Sequence, residues 1–394
     1  MPGDSSQQIS APEKVPNSGL SPRHFEFVDA LRGYAILAVI LFHVNQLVLH
    51  SYPLLHGVAS YGGSGVQVFF VISAFTLFWS LQNRLWVDRR PMLAFFARRW
   101  FRVAPLFWVG ILFYVGHPDF WRDQFAPAGV GLPQILSTIL FVHGWYPTTI
   151  NSVVPGGWSI AAEMMFYLTL PFLFRWIRTF NTALVLAVAT SLIAEFCRPL
   201  AVKVLLGHFP AGWSELIRLF VSFTFPAQFP CFCWGIVLYF LLTGERHYPL
   251  RRVGAIFICV APLSLGLTDI FVAASTVPAA WILATFAVPV INNRLIRRVG
   301  IISYSAYLWH FAILDRVAVM VLPRIHLTSQ HRYVVGTFRL LGLYLSVVAV
   351  TVPVAWLSYF VIEQPFIRCG KWLVNLAGWS GSRARHGGAT NQSA

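Results

Sequence analysis

The 394-residue chain is 57% hydrophobic, 16% aromatic and only 11% charged, with a mean hydropathy of +0.65. Soluble domains carry about a quarter charged residues, so these figures exclude a disordered chain, a coiled coil and an ordinary soluble enzyme. Lys and Arg total 29 against 14 Asp and Glu, a net charge of +15 that suggests nucleic acid in a soluble protein but arginine-rich cytoplasmic loops in a membrane protein.

Residues 1–24 are polar, contain prolines and lack the apolar core of a signal peptide, which predicts a disordered cytoplasmic tail. Ten segments then reach the ~20 mostly apolar residues needed to cross a hydrocarbon core of ~30 Å. They are 29–49, 65–83, 101–117, 159–177, 181–200, 219–242, 253–268, 270–291, 303–322 and 336–362. A weaker stretch, 132–146, contains Pro133 and His143 and is followed by Pro147; it reads as a re-entrant or interfacial piece. Residues 371–394 read as a second cytoplasmic tail, leaving 25–370 as one membrane domain. The expected fold is an all-α polytopic membrane bundle of about ten transmembrane helices. With the N-terminus inside, most of the 29 basic residues fall on the inner side, which favours N-in/C-in. The bilayer then accounts for the basic excess, and no nucleic-acid partner is needed. The five cysteines show no metal-ligand spacing and read as packing thiols, so no metal is expected.

Ionisable groups within spans cost several kcal/mol unless paired or hydrated, so they mark candidate sites. Asp29, Arg32 and His43 share one stripe of the first span, since three and eleven residues return to nearly the same face at 3.6 per turn. Arg32 would lie at the cytoplasmic headgroups and His43, about 16 Å along, near the bilayer centre. A neutral imidazole there suits a general base. The bland alternatives are a topology anchor for Arg32 and a satisfied core residue for His43. Arg99 and Arg102 share a face at the third span's inner edge, where guanidinium forks could bind phosphates or only anchor the helix. In the fourth span Trp158 fits an interfacial belt and Ser159 a helix cap. Glu163, with Tyr167 one turn on, is either a helix-terminus charge or a group that orients a histidine or a hydroxyl. Ser303, Tyr307 and His310 form a polar stripe on the ninth span, for which interhelical hydrogen bonding is the simplest account. Glu195 and Asp315 lie near outer span ends and read as solvated.

Taken together these segments resemble the acyltransferase type 3 family of bacterial membrane O-acyltransferases. The resemblance rests on Asp29-Ala30-Leu31-Arg32-Gly33 with His43 beyond it, and on Gly65 through Ser73. It rests also on Arg99 and Arg102 followed by Pro105, and on Trp158-Ser159 with Glu163, Phe166, Tyr167 and Pro171. Ser303-Tyr304 through Tyr307 and His310, and Glu363 with Pro365, complete it, so the motifs run from 27 to 366. One departure is Ala74, where the family usually has glycine after the serine; its methyl is expected to narrow a cavity. The resemblance implies transfer of an acyl group, usually acetyl, from cytoplasmic acetyl-CoA to a glycan hydroxyl on the outer side of the bacterial inner membrane. It implies that Arg32, Arg99 and Arg102 hold the coenzyme A phosphates, that His43 is the base, directly, in a relay or through an acyl-histidine, and that Asp29 fixes Arg32. Glu163, Ser73, Trp158, Tyr304, Tyr307 and His310 are its supporting or acceptor-side residues. The length leaves no room for the C-terminal hydrolase-like domain of some relatives, which predicts the membrane unit alone. Three rivals stand beside this reading: a transporter or flippase of an anionic or lipid-linked glycan, a non-catalytic receptor, and an acyltransferase acting on a small glycosylated metabolite.

Overall fold

The computed structural model describes residues 26–48, 51–85, 87–120, 124–243, 254, 256, 268–286, 291–325 and 332–381. Its elements are α-helical: α1 Glu26–Leu47, α2 Pro53–Tyr61, α3 Gly65–Arg84, α4 Pro91–Gly116, α5 Leu132–Ile139, α6 Gly157–Trp176 and α7 Phe180–Leu206. There follow α8 Ser214–Phe223, α9 Phe225–Thr243, α10 Thr268–Phe286, α11 Arg294–Ile301, α12 Ser303–Val321, α13 Arg332–Ser358 and α14 Gln364–Leu376. Among the described residues there is no strand beyond one isolated bridge, Asp88 to Ser380. Eight helical stretches among them are long and apolar enough to cross a membrane. α4 adds a further helix of 26 residues, about 39 Å at 1.5 Å per residue, with Arg98, Arg99 and Arg102 in its first half. The protein is an all-α, multi-pass membrane bundle. The expected span 253–268 lies outside the described residues, as does the tail 1–24.

α1 is the hub, packed against α3, α11 and α13; α9 packs on α3 and α7, and α14 on α4. Close approach of backbones drives helix association where lipid removes the hydrophobic incentive. A Cβ at Gly300 would collide with the Asp29 carbonyl, one at Gly33 with the Ile296 carbonyl, and one at Gly235 with the Val71 carbonyl.

Several boundaries differ from the sequence reading, each for a local reason. The expected span 219–242 is two helices, broken at Thr224, whose backbone is extended (φ −62°, ψ 150°). Pro226 has no N–H to donate to the Ser222 carbonyl four residues back, so the α8 ladder cannot continue. That carbonyl instead accepts from Gln228 Nε2 at 2.8 Å. The last span does not leave at 362. A π turn at Tyr359–Glu363 absorbs the hydrogen bond Pro365 cannot make, and α14 carries the ordered chain beyond 370. Residues 379 and 380 then dock on 88–90, with Arg89 N–H donating to the Trp379 carbonyl at 2.8 Å. Nearby, Asp88 is fully buried and paired with Arg98 at 2.5 Å. The stretch 132–146 holds only the eight-residue α5 and a single turn, His143–Trp145, too short to cross. His143 is buried there, its Nε2–H donating to the Gly157 carbonyl at 3.0 Å, and burial pushes the imidazole down to about 4.

Candidate active site

Two cavities share one wall inside the bundle. The smaller, about 80 Å³, is lined by Arg32 of α1, Ser73 of α3, Arg99 and Arg102 of α4, Glu163 of α6 and Tyr304 of α12. The larger, about 730 Å³, holds His43 of α1 beside Gln46, with Trp158 and Phe223 on another side. Val66 and Tyr307 line both.

In the smaller cavity a half-buried carboxylate faces three guanidinium groups. Glu163 Oε1 accepts from Ser73 Oγ at 2.6 Å and from Tyr167 at 2.7 Å, so α3 and α6 fix it together. Both of these partners are hydroxyls. The Tyr304 hydroxyl, named from sequence as acceptor-side, is engaged by the Val103 carbonyl of α4 at 2.8 Å. Arg102 also feels the charge of Glu363, which is buried and accepts from Ser305 Oγ at 3.0 Å. Arg99 and Arg102 sit in the third and fourth turns of a helix that begins at Pro91, not at a helix start near 101.

Tyr307 forms the divide. Its hydroxyl donates to the Gly156 carbonyl at 3.0 Å and accepts from Ser159 Oγ at 3.0 Å. Gly156 has φ +79°, the left-handed region that disfavours side chains, and a Cβ there would stand 3.0 Å from the Tyr307 hydroxyl oxygen. Gly156, not Ser159, is the residue at the α6 cap.

Beyond Tyr307 lie two imidazoles. His43 and His310 have ring centroids 5.4 Å apart, with Phe311 against both at 4.4 Å and 4.1 Å. The His43 Nδ1–H donates to Gln46 Oε1 at 3.1 Å, which puts the lone pair on Nε2. His310 is fully buried; its Nδ1–H donates to the Tyr307 carbonyl at 2.6 Å, and Nε2 has no partner in the protein. His43 sits one turn before the end of α1.

Other sequence expectations change. Asp29 lines neither cavity, and no ion pair joins it to Arg32 among the described residues; its backbone is the surface against which Gly300 packs. Trp158 is not an interfacial belt residue: it is 8% exposed and stacked on Phe223 at 4.4 Å. Ala74 lines neither cavity, and its methyl meets α9, 2.7 Å from where a Cβ on Gly235 would stand. Asp315, read as solvated, lines the larger cavity, along with Gln67, Asn151, Glu215 and Asp269, which the sequence reading passed over. Gln67 lay within the Gly65–Ser73 motif but was given no role, and the only signal for Asp269 was a carboxylate opening an apolar run.

The arrangement can hold an anion on one side of Tyr307 and a hydroxyl-bearing molecule beside an imidazole on the other. Comparison with known proteins agrees with chemistry of that kind. Acyltransferase MdmB of Streptomyces mycarofaciens is 25% identical, over 86% of this chain and 91% of its own. Exopolysaccharide production protein ExoZ of Rhizobium meliloti is 24% identical, over 88% of this chain and 100% of its own. Peptidoglycan O-acetyltransferase OatA of Listeria monocytogenes is 22% identical over 89% of this chain, which spans only 57% of that protein. No solved structure matches. The acyltransferase domain model matches residues 25–360, and the chain belongs to that family: it is a membrane acyltransferase.

Proposed function

We propose that this protein is an O-acyltransferase of the bacterial inner membrane. It moves an acyl group, acetyl in the simplest case, from cytoplasmic acyl-CoA to a hydroxyl of a glycan. The single observation that carries the proposal is the pair of cavities joined at Val66 and Tyr307, arginine-lined on one side and His43-bearing on the other. Two relatives, a peptidoglycan O-acetyltransferase and an exopolysaccharide production protein, support a glycan as the acceptor class.

In this mechanism Arg32, Arg99 and Arg102 bind the donor phosphates, for which planar guanidinium forks are suited. The thioester reaches toward Tyr307. His43 Nε2 takes the acceptor hydroxyl proton as the oxygen bonds to the thioester carbonyl carbon. The tetrahedral intermediate collapses by breaking the C–S bond. The departing thiolate takes the proton from the imidazolium, leaving an ester and free coenzyme A thiol. Glu163, held by Ser73 and Tyr167, keeps the three guanidinium groups together by balancing part of their charge. The termini face the cytoplasm, so the donor side of the protein carries most of its basic residues.

The test is thiol release by the protein in nanodiscs given acetyl-CoA with and without glycan, and mass spectrometry of the glycan. Acceptor-dependent thiol release with a matching acyl mass gain is expected. Glycan crossing proteoliposome membranes with acetyl-CoA untouched would favour a transporter instead.

A further inference from the structure

The walls of the larger cavity are rich in hydrogen-bond acceptors and in negative charge. Three carboxylates line it, Glu215 of α8, Asp269 of α10 and Asp315 of α12; among the described lining residues none is lysine or arginine. Two carboxamides add neutral acceptors. Gln67 is 3% exposed and Asn151 9%, and each keeps a side-chain oxygen with no partner in the protein. The orientation of Gln67 follows from its neighbours. Gln228 Nε2 is committed to the Ser222 carbonyl that Pro226 leaves unmatched, so Gln228 Oε1 accepts from Gln67 Nε2 at 3.1 Å. Gln67 Oε1 is thereby left as an acceptor that needs a donor.

The cavity also has aromatic surface, with Trp158 lying flat on Phe223 at an interplanar angle of 5°. Its volume of about 730 Å³ falls within the roughly 300–1,000 Å³ usual for small-ligand sites. Two basic groups of this region do not line the cavity. Arg198 acts on Asp269 from α7, and Arg316 is engaged with Asp119 at 3.5 Å. Ser64 Oγ donates to Asp269 Oδ1 at 3.4 Å, holding that carboxylate at the wall.

We infer that the larger cavity is an acceptor subsite that selects against anions, so the sugar acylated is neutral or carries an amine. This rests on the acyl-CoA reading above and adds to it the charge class of the acceptor. A polyol offers the donors that Gln67, Asn151 and the carboxylates need, and an ammonium group adds attraction to the carboxylates. A uronic acid or a phosphorylated sugar would bring like charges together in a partly buried space, which is the usual means by which a site rejects a wrong partner.

The test measures thiol release by the full-length protein in nanodiscs, with saturating acetyl-CoA and three acceptors of one shape. These are the nitrophenyl β-glycosides of glucose, glucosamine and glucuronic acid. The glucuronide is expected to react with a kcat/KM lower by about tenfold or more, and the gap is expected to shrink as salt screens the repulsion. Glu215→Gln with Asp269→Asn is expected to narrow the gap in the same way. Equal use of the glucuronide would overturn this inference and leave the acyl-CoA reading standing. A gap insensitive to both salt and the double variant would overturn the role of the carboxylates. No thiol release with any of the three would overturn the acyl-CoA reading and this inference with it. The wild-type acceptor panel and its salt dependence decide the matter even where the variant does not fold.

Discussion

The smaller cavity sets three guanidinium groups around one carboxylate; the larger sets three carboxylates and several amide oxygens around aromatic rings. They are separated by little more than Val66 and Tyr307. Under the proposed function, such opposite electrostatics in adjoining spaces would sort ligands by charge before any chemistry. An anion is drawn to one side, a hydrogen-bond donor to the other, and the imidazole stands on the donor-seeking side. The same contrast runs along α1, whose Arg32 serves the first cavity and whose His43, eleven residues on, serves the second.

The contrast can be broken at four points. The largest effect is expected for His43→Ala, which lowers kcat for transfer between about a hundredfold and ten-thousandfold with donor binding retained. Stopped-flow thiol release checks it. Arg99→Ala and Arg102→Ala are expected to raise the KM for acetyl-CoA by about 10–100-fold, the cost of one charge-assisted contact, with Lys restoring only part because it lacks the fork. Initial rates over a donor concentration series test this. Tyr307→Phe keeps the ring between the cavities but removes the bonds to Gly156 and Ser159. A three- to tenfold loss in kcat/KM is expected, about 1 kcal/mol, without change in donor KM.

The smallest effect lies outside both cavities. His143 has a folded-state value of about 4 against an ordinary 6.5, so the unfolded chain binds more protons between these values. Stability is therefore complete above about pH 6.5 and falls as the pH drops toward 4, by about 1 kcal/mol at pH 6. Thermal unfolding in detergent at pH 8 and pH 6 reads this, and His143→Gln should flatten the pH dependence.

Much of the fold could be read from the sequence, because a spanning helix announces itself by length and composition alone. What could not be read were the places where proline alters a helix. Pro226 splits one expected span and Pro365 forces a π turn, yet Pro105, Pro171 and Pro353 sit inside continuous helices. Proline in a span is tolerated when neighbours satisfy the freed carbonyl, and which neighbour does so is a tertiary fact.

The donor-side residues were legible because arginine in an apolar segment is conspicuous. Arg32, Arg99 and Arg102 were named from sequence for the donor and line one cavity together, along with Ser73, Glu163 and Tyr304, which were named as supporting or acceptor-side residues. The opposite side was not. Gln67, Asn151, Glu215 and Asp269 come from α3, the α5–α6 loop, α8 and α10, and although Gln67 lies in a motif, the local sequence does not mark the four as neighbours. Asp29, a motif residue named from its stripe, also has a packing role under Gly300 that is visible only in three dimensions.

The central claim is that donor and acceptor occupy separate cavities, and one steady-state measurement addresses it most directly. Initial rates are taken with acetyl-CoA and a neutral glycan both varied, for the wild type, Arg99→Ala and Trp158→Ala. The account predicts that Arg99→Ala raises only the donor KM and Trp158→Ala only the acceptor KM. Both constants moving together in each variant, or moving in the opposite pairing, would contradict it.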